Sequence, residues 1–221
     1  RSMTDLGQLL AAIRFGDSAF PSGGFAFSSG LEGSYRDGMV QDEGDVSAFV
    51  AEQLEGNWHR RDRVLMRRAW TAPDPDAVDT FAEAVATMSV LREASRRAGA
   101  ATLATFAAVI DPGIGDYRSR VLAGAVPGHL AVAQAVCFRA AGLTLETAEA
   151  VAAWQVVSGI TGAALRLGIC GHLGVQRVVT NMTSPLIDLL QRQPPTEPAA
   201  FTAYADIAAQ RHDDGVRLFA S

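Results

Sequence analysis

The chain has 221 residues, of which 48% are hydrophobic and 19% are charged, and its formal net charge is −5. All 19 basic residues are arginine, which excludes Walker-type phosphate loops, Schiff-base catalysis and pyridoxal phosphate chemistry, since each needs a lysine. The acidic balance argues against nucleic acid as the main partner. No apolar run approaches the roughly 18 residues that span a bilayer, and no signal-peptide pattern precedes the first helix, so we expect a cytoplasmic protein without membrane association.

The periodic segments favour an all-α fold, because apolar residues recur at helical spacing and no sustained alternating segment is bounded by hairpin turns. In chain order the predicted helices cover residues 4–15, 28–37, 42–70, 76–110, 117–123, 130–141, 144–167, 175–190 and 199–210. This pattern predicts a single-domain helical bundle of roughly eight to ten helices over residues 3–221. We ascribe residues 1 and 2, which precede Met3, to cloning.

Several predicted helices carry features that the structure must explain. The first helix has an apolar face that must dock on something. This face comprises Leu6, Leu9, Leu10 and Ile13. The helix over 42–70 is expected to bend at Gly56, and its arginine-rich run over 60–68 is expected to solvate one face. The small apolar helix over 130–141 fits the middle of a bundle, and Thr144 is expected to cap the next helix.

The stretch from Asp17 to Gly33, DSAFPSGGFAFSSGLEG, is the segment whose residue types packing explains least. Pro21 fixes its own backbone φ, and Gly23 and Gly24 permit a tight turn or a close backbone approach. Two phenylalanines follow the glycines directly. Two interpretations stay open: the rings fill the core at a helix–loop–helix corner, which the pattern alone favours, or they form an anchoring surface for a partner.

Candidate catalytic and metal-binding residues lack the patterns that these chemistries need. Ser28 stands outside a Gly-x-Ser-x-Gly elbow, and a triad of a serine from this stretch with His212 and Asp213 rests on residue types alone. Cys170 and His172 are a weak candidate for a metal pair, and both cysteines are expected to be reduced core residues. We therefore predict no catalytic residues and no metal ligands.

Four segments together resemble the UreF family of urease accessory proteins. They are FPSGGFAFSSGLEG at 20–33, REASRRAG at 92–99, RLGICGHLGVQR at 166–177 and RHDDGVRLFAS at 211–221. The opening motif of the family is matched in order by Pro21, Gly23, Gly24, Phe25, Ser28, Gly30, Leu31 and Glu32. The chain departs from the family at Asp213, where glutamate is usual, at 214–216, which replace a tyrosine-containing step, and at Arg166, where some relatives carry lysine.

The resemblance implies an all-α, non-catalytic protein that forms a homodimer, binds UreD (also called UreH) and recruits the GTPase UreG to apo-urease for nickel insertion. It implies that GTP and Mg²⁺ belong to UreG and that nickel is delivered to urease, so that this chain binds no cofactor directly. The implied partner-binding residues are the eight of the opening motif together with Arg166, His212, Arg217, Leu218 and Phe219. Within that set the tail would pack against UreD/UreH, whereas Glu32 and Arg166 would engage UreG.

Two alternatives remain beside this interpretation. A helical small-molecule-binding protein or hydrolase could use the glycine-rich loop as a pocket wall, and a deep pocket with convergent ionisable groups would favour it. A helical adaptor unrelated to nickel would share the binding chemistry but not the partners.

Overall fold

A computed structural model of the protein describes residues 5–21, 29–110, 114–200 and 203–212. Within these ranges every regular element is a helix and no strand occurs, which confirms the predicted all-α class. No helix of the described part is long and apolar enough to cross a membrane.

Ten helices make up the described ranges, and their bounds follow the predicted order. They are α1 (Asp5–Gly16), α2 (Leu31–Arg36), α3 (Glu43–Glu52, continuing through Gln53–Asp62 to Arg63–Thr71), α4 (Asp76–Val85), α5 (Ser89–Val109), α6 (Gly115–Leu122), α7 (Leu130–Ala140), α8 (Leu145–Arg166), α9 (His172–Gln191) and α10 (Tyr204–Arg211). The predicted helix over 76–110 is two helices, because the chain leaves helical geometry between Val85 and Ser89. The cap predicted at Thr144 is present, since its side chain accepts a hydrogen bond from the Thr147 N–H.

Helix α7 lies at the centre of the core, as its small apolar residues predict. Its residues from Ala131 to Phe138 are all buried, and α5, α8 and the last third of α3 pack around it. Phe138 joins a cluster of rings with Phe15, Phe20 and Phe106, whose centroids lie 5.0–5.8 Å apart. These rings anchor the end of α1 and the chain that follows it to the core.

The REASRRAG segment brings α5 against the start of α7. A Cβ atom added to Gly99 would lie 2.0 Å from the carbonyl oxygen of Gly128, so the two backbones approach more closely than any side chain permits. Ser95 accepts a hydrogen bond from the Leu130 N–H at 3.2 Å and shares one with Nδ1 of the buried His129 at 3.1 Å. Gly99 is thus a close-packing point between α5 and the start of α7.

The middle of α3 is π-helical rather than bent. Residues Gln53–Asp62 form wider turns with Gly56 among them, and the helix continues on both sides. Such turns are rare and are frequently found at functional sites. Here they turn Gln53, Asn57 and Trp58 into the protein interior, where all three are buried.

The prediction that the arginine-rich run of α3 solvates one face is wrong for Arg63, which is only 1% exposed. Its guanidinium donates hydrogen bonds to the carbonyl oxygens of Leu189, Leu190 and Arg192 at 2.8–3.0 Å and to the Glu149 carboxylate at 2.9 Å. The three backbone carbonyls belong to the C-terminal end of α9, where the helix has no further backbone N–H groups to pair with them. Arg63 therefore caps α9 from inside the core.

Candidate functional site

Helix α2 begins after a left-handed turn formed by Ser29 and Gly30. Ser29 has φ 51° and Gly30 has φ 82°, and the carbonyl of Gly30 accepts the first helical hydrogen bond from Ser34 at 3.0 Å. Leu31 and Glu32 follow and are 0% and 7% exposed. A glycine is favoured at the second position because residues with a Cβ atom avoid positive φ.

Two glycines, Gly30 just before α2 and Gly33 within it, form the surface on which α10 packs. A Cβ atom on Gly30 would lie 2.3 Å from the carbonyl oxygen of Ala205, and one on Gly33 would lie 2.7 Å from the carbonyl carbon and oxygen of Ala208. Both neighbours are backbone atoms, which cannot rotate away as a side chain can. The glycine spacing that looked like a recognition motif is therefore also a packing requirement, since it lets α2 and α10 meet backbone to backbone.

Asp37 fastens the same helix pair electrostatically. Its carboxylate accepts hydrogen bonds from the Tyr204 hydroxyl and from His212 Nε2, both at 2.8 Å, and from the Arg211 guanidinium. The hydrogen bond from His212 is the main cause that lowers the pKa of Asp37 to about 2, and the bonds from Tyr204 and Arg211 add to it. We call the contacts of Asp37 with Tyr204, Arg211 and His212 the Asp37 clasp. Tyr204 is the first residue of α10 and His212 follows its last residue, so the clasp holds both ends of that helix.

This clasp should make α10 sensitive to acid. The folded-state pKa of Asp37 is depressed from its ordinary value of 3.8, so its contribution to stability is present above that pH and is lost as pH falls towards about 2. We expect the thermal midpoint of Asp37→Asn to lie below that of the wild type at pH 6, and the gap to narrow steadily as pH falls from 3.8 to about 2. Thermal unfolding followed by circular dichroism at several pH values measures the convergence. Asp188→Asn, at an exposed position of α9, serves as the control, and a constant gap for Asp37→Asn would contradict the clasp.

The remaining predicted site residues fall into three groups. Glu32 lies in the first turn of α2, faces inward and pairs with Arg36 at 2.9 Å. Pro21 is exposed, and its carbonyl accepts a hydrogen bond from the Thr105 hydroxyl at 2.7 Å. Gly23, Gly24, Phe25, Ser28, Arg217, Leu218 and Phe219 lie outside the described residues. The partner contacts predicted for all of these residues stay predictions; the structure adds that Gly30, Leu31 and Glu32 would act by positioning α2 and α10 rather than by direct exposure.

Arg166 lies apart from the clasp, at the C-terminal end of α8. It lines an open groove of about 510 Å³ between α8 and α9, together with Trp154, Gln176 and the residues Asp17 and Phe20 at the start of the opening stretch. Partial burial in this groove lowers the pKa of the Arg166 guanidinium. The structure thus brings Arg166 beside the start of the opening stretch, whereas His212 contacts Asp37, which lies beyond the end of that stretch.

Helix α1 carries an exposed apolar face, and none of its residues was predicted as a site residue. Leu6, Leu9, Leu10 and Ile13 are 65%, 55%, 59% and 60% exposed. They repeat at i, i+3, i+4 and i+7, which places them along one side of the helix. We call these four residues the α1 stripe. Its periodicity was visible in the sequence, but whether it faced the core or solvent could only come from the fold.

The orientation of α1 is fixed by hydrogen bonds from its neighbours. The Trp154 indole donates to the carbonyl oxygen of Gly16 at 3.1 Å, and the Gln155 amide donates to that of Phe15 at 2.7 Å. At the other end, Gln8 donates to the carbonyl oxygen of Gly142 at 2.9 Å. These contacts keep the inner face of α1 on the core and leave the α1 stripe uncovered by any described residue.

The catalytic alternative gains no support from the described residues. His212 is engaged by Asp37, and burial raises the pKa of both the Cys137 and the Cys170 thiol, which disfavours the reactive thiolate. Groups of three or more side chains suited to hold a metal ion do not occur within the described ranges. Among the residues that the structure describes, the groove beside Arg166 holds one other ionisable residue, Asp17.

Comparison with known proteins agrees with the resemblance seen in the sequence. The model of the UreF family matches residues 40–183. The urease accessory protein UreF of Cereibacter sphaeroides (strain KD131 / KCTC 12085) is 30% identical over 218 residues, covering 96% of this chain and 97% of that protein. The UreF of Arthrobacter sp. (strain FB24) is 29% identical over 221 residues and 96% of each chain, and UreF 1 of Brucella melitensis biotype 1 is 29% identical over 230 residues, covering 99% and 95%.

Proposed function

The chain belongs to the UreF family of urease accessory proteins, and on that premise we propose that it is the scaffold that joins UreD/UreH to the GTPase UreG during nickel insertion into apo-urease. Its relatives are named accessory proteins, and the chain is an accessory protein rather than an enzyme. In this proposal GTP and Mg²⁺ are bound by UreG, nickel is the cargo delivered to urease, and this chain supplies surfaces.

The α1 stripe is the observation that carries the scaffold proposal. Its four aliphatic side chains are more than half exposed, and no charged residue lies among them between Leu6 and Ile13. A contiguous apolar face of this kind costs free energy in water and is typical of a protein interface. Because α1 is held on the core through Trp154 and Gln155, the stripe is presented by a positioned helix, which lowers the entropy cost of binding.

The character of each surface supports an assignment of partners. Interfaces of permanent complexes are more apolar than those of transient ones, so we assign the α1 stripe, together with the predicted tail contacts, to UreD/UreH. The groove beside Arg166 combines apolar walls with one positive and one negative side chain, Arg166 and Asp17, which suits the polar surface of a partner that must also leave. We assign it to UreG. The predicted homodimer stays a prediction and is a competing use of the α1 stripe.

The double substitution Leu9→Asp with Ile13→Asp tests the scaffold proposal. Two charges on the stripe remove apolar contact area and add carboxylates that must be desolvated, so we expect the affinity for UreD/UreH to fall at least about 100-fold while the isolated protein stays folded. Co-purification and calorimetry with UreD/UreH measure the loss. Leu122→Asp is the matched control, because Leu122 is 66% exposed on α6, away from the stripe.

The outcomes separate the partners. Unchanged binding of UreD/UreH by the double variant would show that the stripe is not its surface, and a loss of self-association alone would assign the stripe to a second copy. Arg166→Ala and Glu32→Ala are compared for recruitment of UreG to the preformed complex with UreD/UreH. We expect Arg166→Ala to weaken recruitment directly, and Glu32→Ala to weaken it only together with loosening of α2.

A further inference from the structure

The segment that follows α9 lies along α3 and precedes α10 in the chain. We call residues 192–200 the strap; it contains three prolines and no regular helix or strand. Hydrogen bonds join it to α3 in both directions: the Ala199 N–H donates to the carbonyl oxygen of Arg60 at 2.8 Å, and the guanidinium groups of Arg63 and Arg68 donate to the carbonyl oxygens of Arg192 and Thr196 at 3.0 and 2.7 Å. Because the strap has no hydrogen-bonded ladder of its own, these contacts hold it in place.

His59 lies against the arginine that holds the start of the strap, and it is only 4% exposed. Its Nδ1 atom lies 3.1 Å from Nη1 of Arg63, and the same Nη1 group donates to the carbonyl oxygens of Leu189 and Arg192. A guanidinium has donors and no acceptor, so the ring nitrogen that faces it must accept the hydrogen bond. The contact therefore requires a neutral imidazole that carries its proton on Nε2.

The charged groups around His59 also disfavour a proton on its ring. Burial lowers the pKa of His59 from its ordinary value of 6.5, and the positive charge of Arg63 lowers it further. Arg192 and Arg60 act in the same direction, whereas the carboxylate of Glu55 raises the pKa. That carboxylate is already paired with Arg192 and, at 3.5 Å, with Arg60. The neutral ring is thus part of the closed arrangement of α3, the end of α9 and the strap.

A proton on Nδ1 of His59 would place two cations 3.1 Å apart inside the protein. Arg63 is bound on its other side by Glu149 of α8 at 2.9 Å, so the repulsion acts on its hydrogen bonds to the end of α9. The carboxylate that attracts a protonated His59 is Glu55, which in the closed arrangement pairs with Arg192. Protonation therefore weakens two contacts at the start of the strap, the inner cap and the ion pair of Arg192.

We propose that His59 is an acid-sensitive switch: its neutral ring keeps Arg63 on the end of α9, and its protonation releases that end and the strap from α3. The stabilisation is fully present above pH 6.5, the ordinary pKa of histidine, and is lost as pH falls from 6.5 towards the lower pKa of the closed form. The α1 stripe and the groove beside Arg166 include neither His59 nor the strap, so the switch is independent of the partner assignments above.

Hydrogen exchange of the Ala199 amide measures the opening, because this amide donates to α3 across the strap contact. After correction for the intrinsic exchange rate, we expect the opening constant of the wild type to rise as pH falls below 6.5, by up to about 10-fold per pH unit for uptake of one proton. His59→Asn keeps an acceptor, Oδ1, at the place of Nδ1 but does not titrate, so it should lose this rise. His172→Asn, at an exposed position of α9, is the matched control and should follow the wild type.

An NMR titration of the His59 ring in the wild-type protein gives a second readout, which decides the matter even if His59→Asn fails to fold. We expect a midpoint below 6.5, and we expect the backbone amide signals of residues 189–192 to shift with the same midpoint. A midpoint at or above 6.5, amide signals at the end of α9 that ignore the titration of His59, or an equal rise of Ala199 exchange in wild type and His59→Asn would overturn the switch.

Discussion

Replacing Arg63 with methionine is expected to lower the free energy of unfolding by about 3–5 kcal/mol, as loss of one member of a buried ion pair does. The substitution removes the hydrogen bonds to three carbonyl groups at the end of α9 and one of the two arginines that pair with Glu149. Burial alone would raise the pKa of Glu149, but the hydrogen bonds from Arg67 and Arg63 lower it, so the carboxylate is charged inside the core. Urea unfolding at pH 7 measures the loss.

Two further variants test whether the loss of stability comes from the unpaired charge that Glu149 would carry. The double variant Arg63→Met with Glu149→Met should recover part of the lost stability, because an apolar pair leaves no unpaired charge in the core. Arg60→Met is the surface control: Arg60 lies on the same helix with a side chain 55% exposed, and its pair with Glu55 at 3.5 Å should be worth at most about 1 kcal/mol. If Arg63→Met cost no more than Arg60→Met, the inner cap of α9 would be unimportant.

The fold class was predictable because helical periodicity is a local signal. The small apolar residues of α7 predicted its central position, and Thr144 predicted the start of α8, because both features depend on residues close together in the chain. The break between Val85 and Ser89 was not predictable, because the apolar spacing runs on through it without glycine or proline. The burial of Arg63 was also missed, because its partners on α9 lie more than 120 positions away.

The candidate site was predictable in part for a similar reason. The opening motif identified α2 and its glycines, but their close contact with Ala205 and Ala208 depends on the packing of distant segments. Glu32 was expected to project as an orienting charge, whereas it is buried beside Arg36. The α1 stripe was visible as a helical period, yet sequence cannot distinguish an apolar face that meets the core from one that awaits a partner.

Gly33→Ala is expected to loosen α10 from α2, although alanine is the better helix former. In an isolated helix the change would stabilise by about 1 kcal/mol, and Gly33 lies inside α2. In the protein the new methyl group would lie 2.7 Å from the carbonyl of Ala208 and 3.0 Å from the backbone nitrogen of Ala209, so α10 must move as a whole. Overpacking of this kind costs about 1–3 kcal/mol, which corresponds to about a 5- to 150-fold larger opening constant for α10.

Amide hydrogen exchange of α10 measures that opening, and the rate of tryptic cleavage after Arg211 gives a second readout. Gly115→Ala in the first turn of α6 is the matched control, because a Cβ atom there meets nothing within 4 Å, and it should exchange like the wild type. Combining Asp37→Asn with Gly33→Ala should raise the opening constant of α10 by less than the product of the two single effects. The reason is that an α10 already displaced by the new methyl group makes weaker contacts with Asp37. Unchanged exchange in Gly33→Ala would mean that α10 tolerates a displaced position. In that case packing against α10 would not explain why glycine stands at position 33.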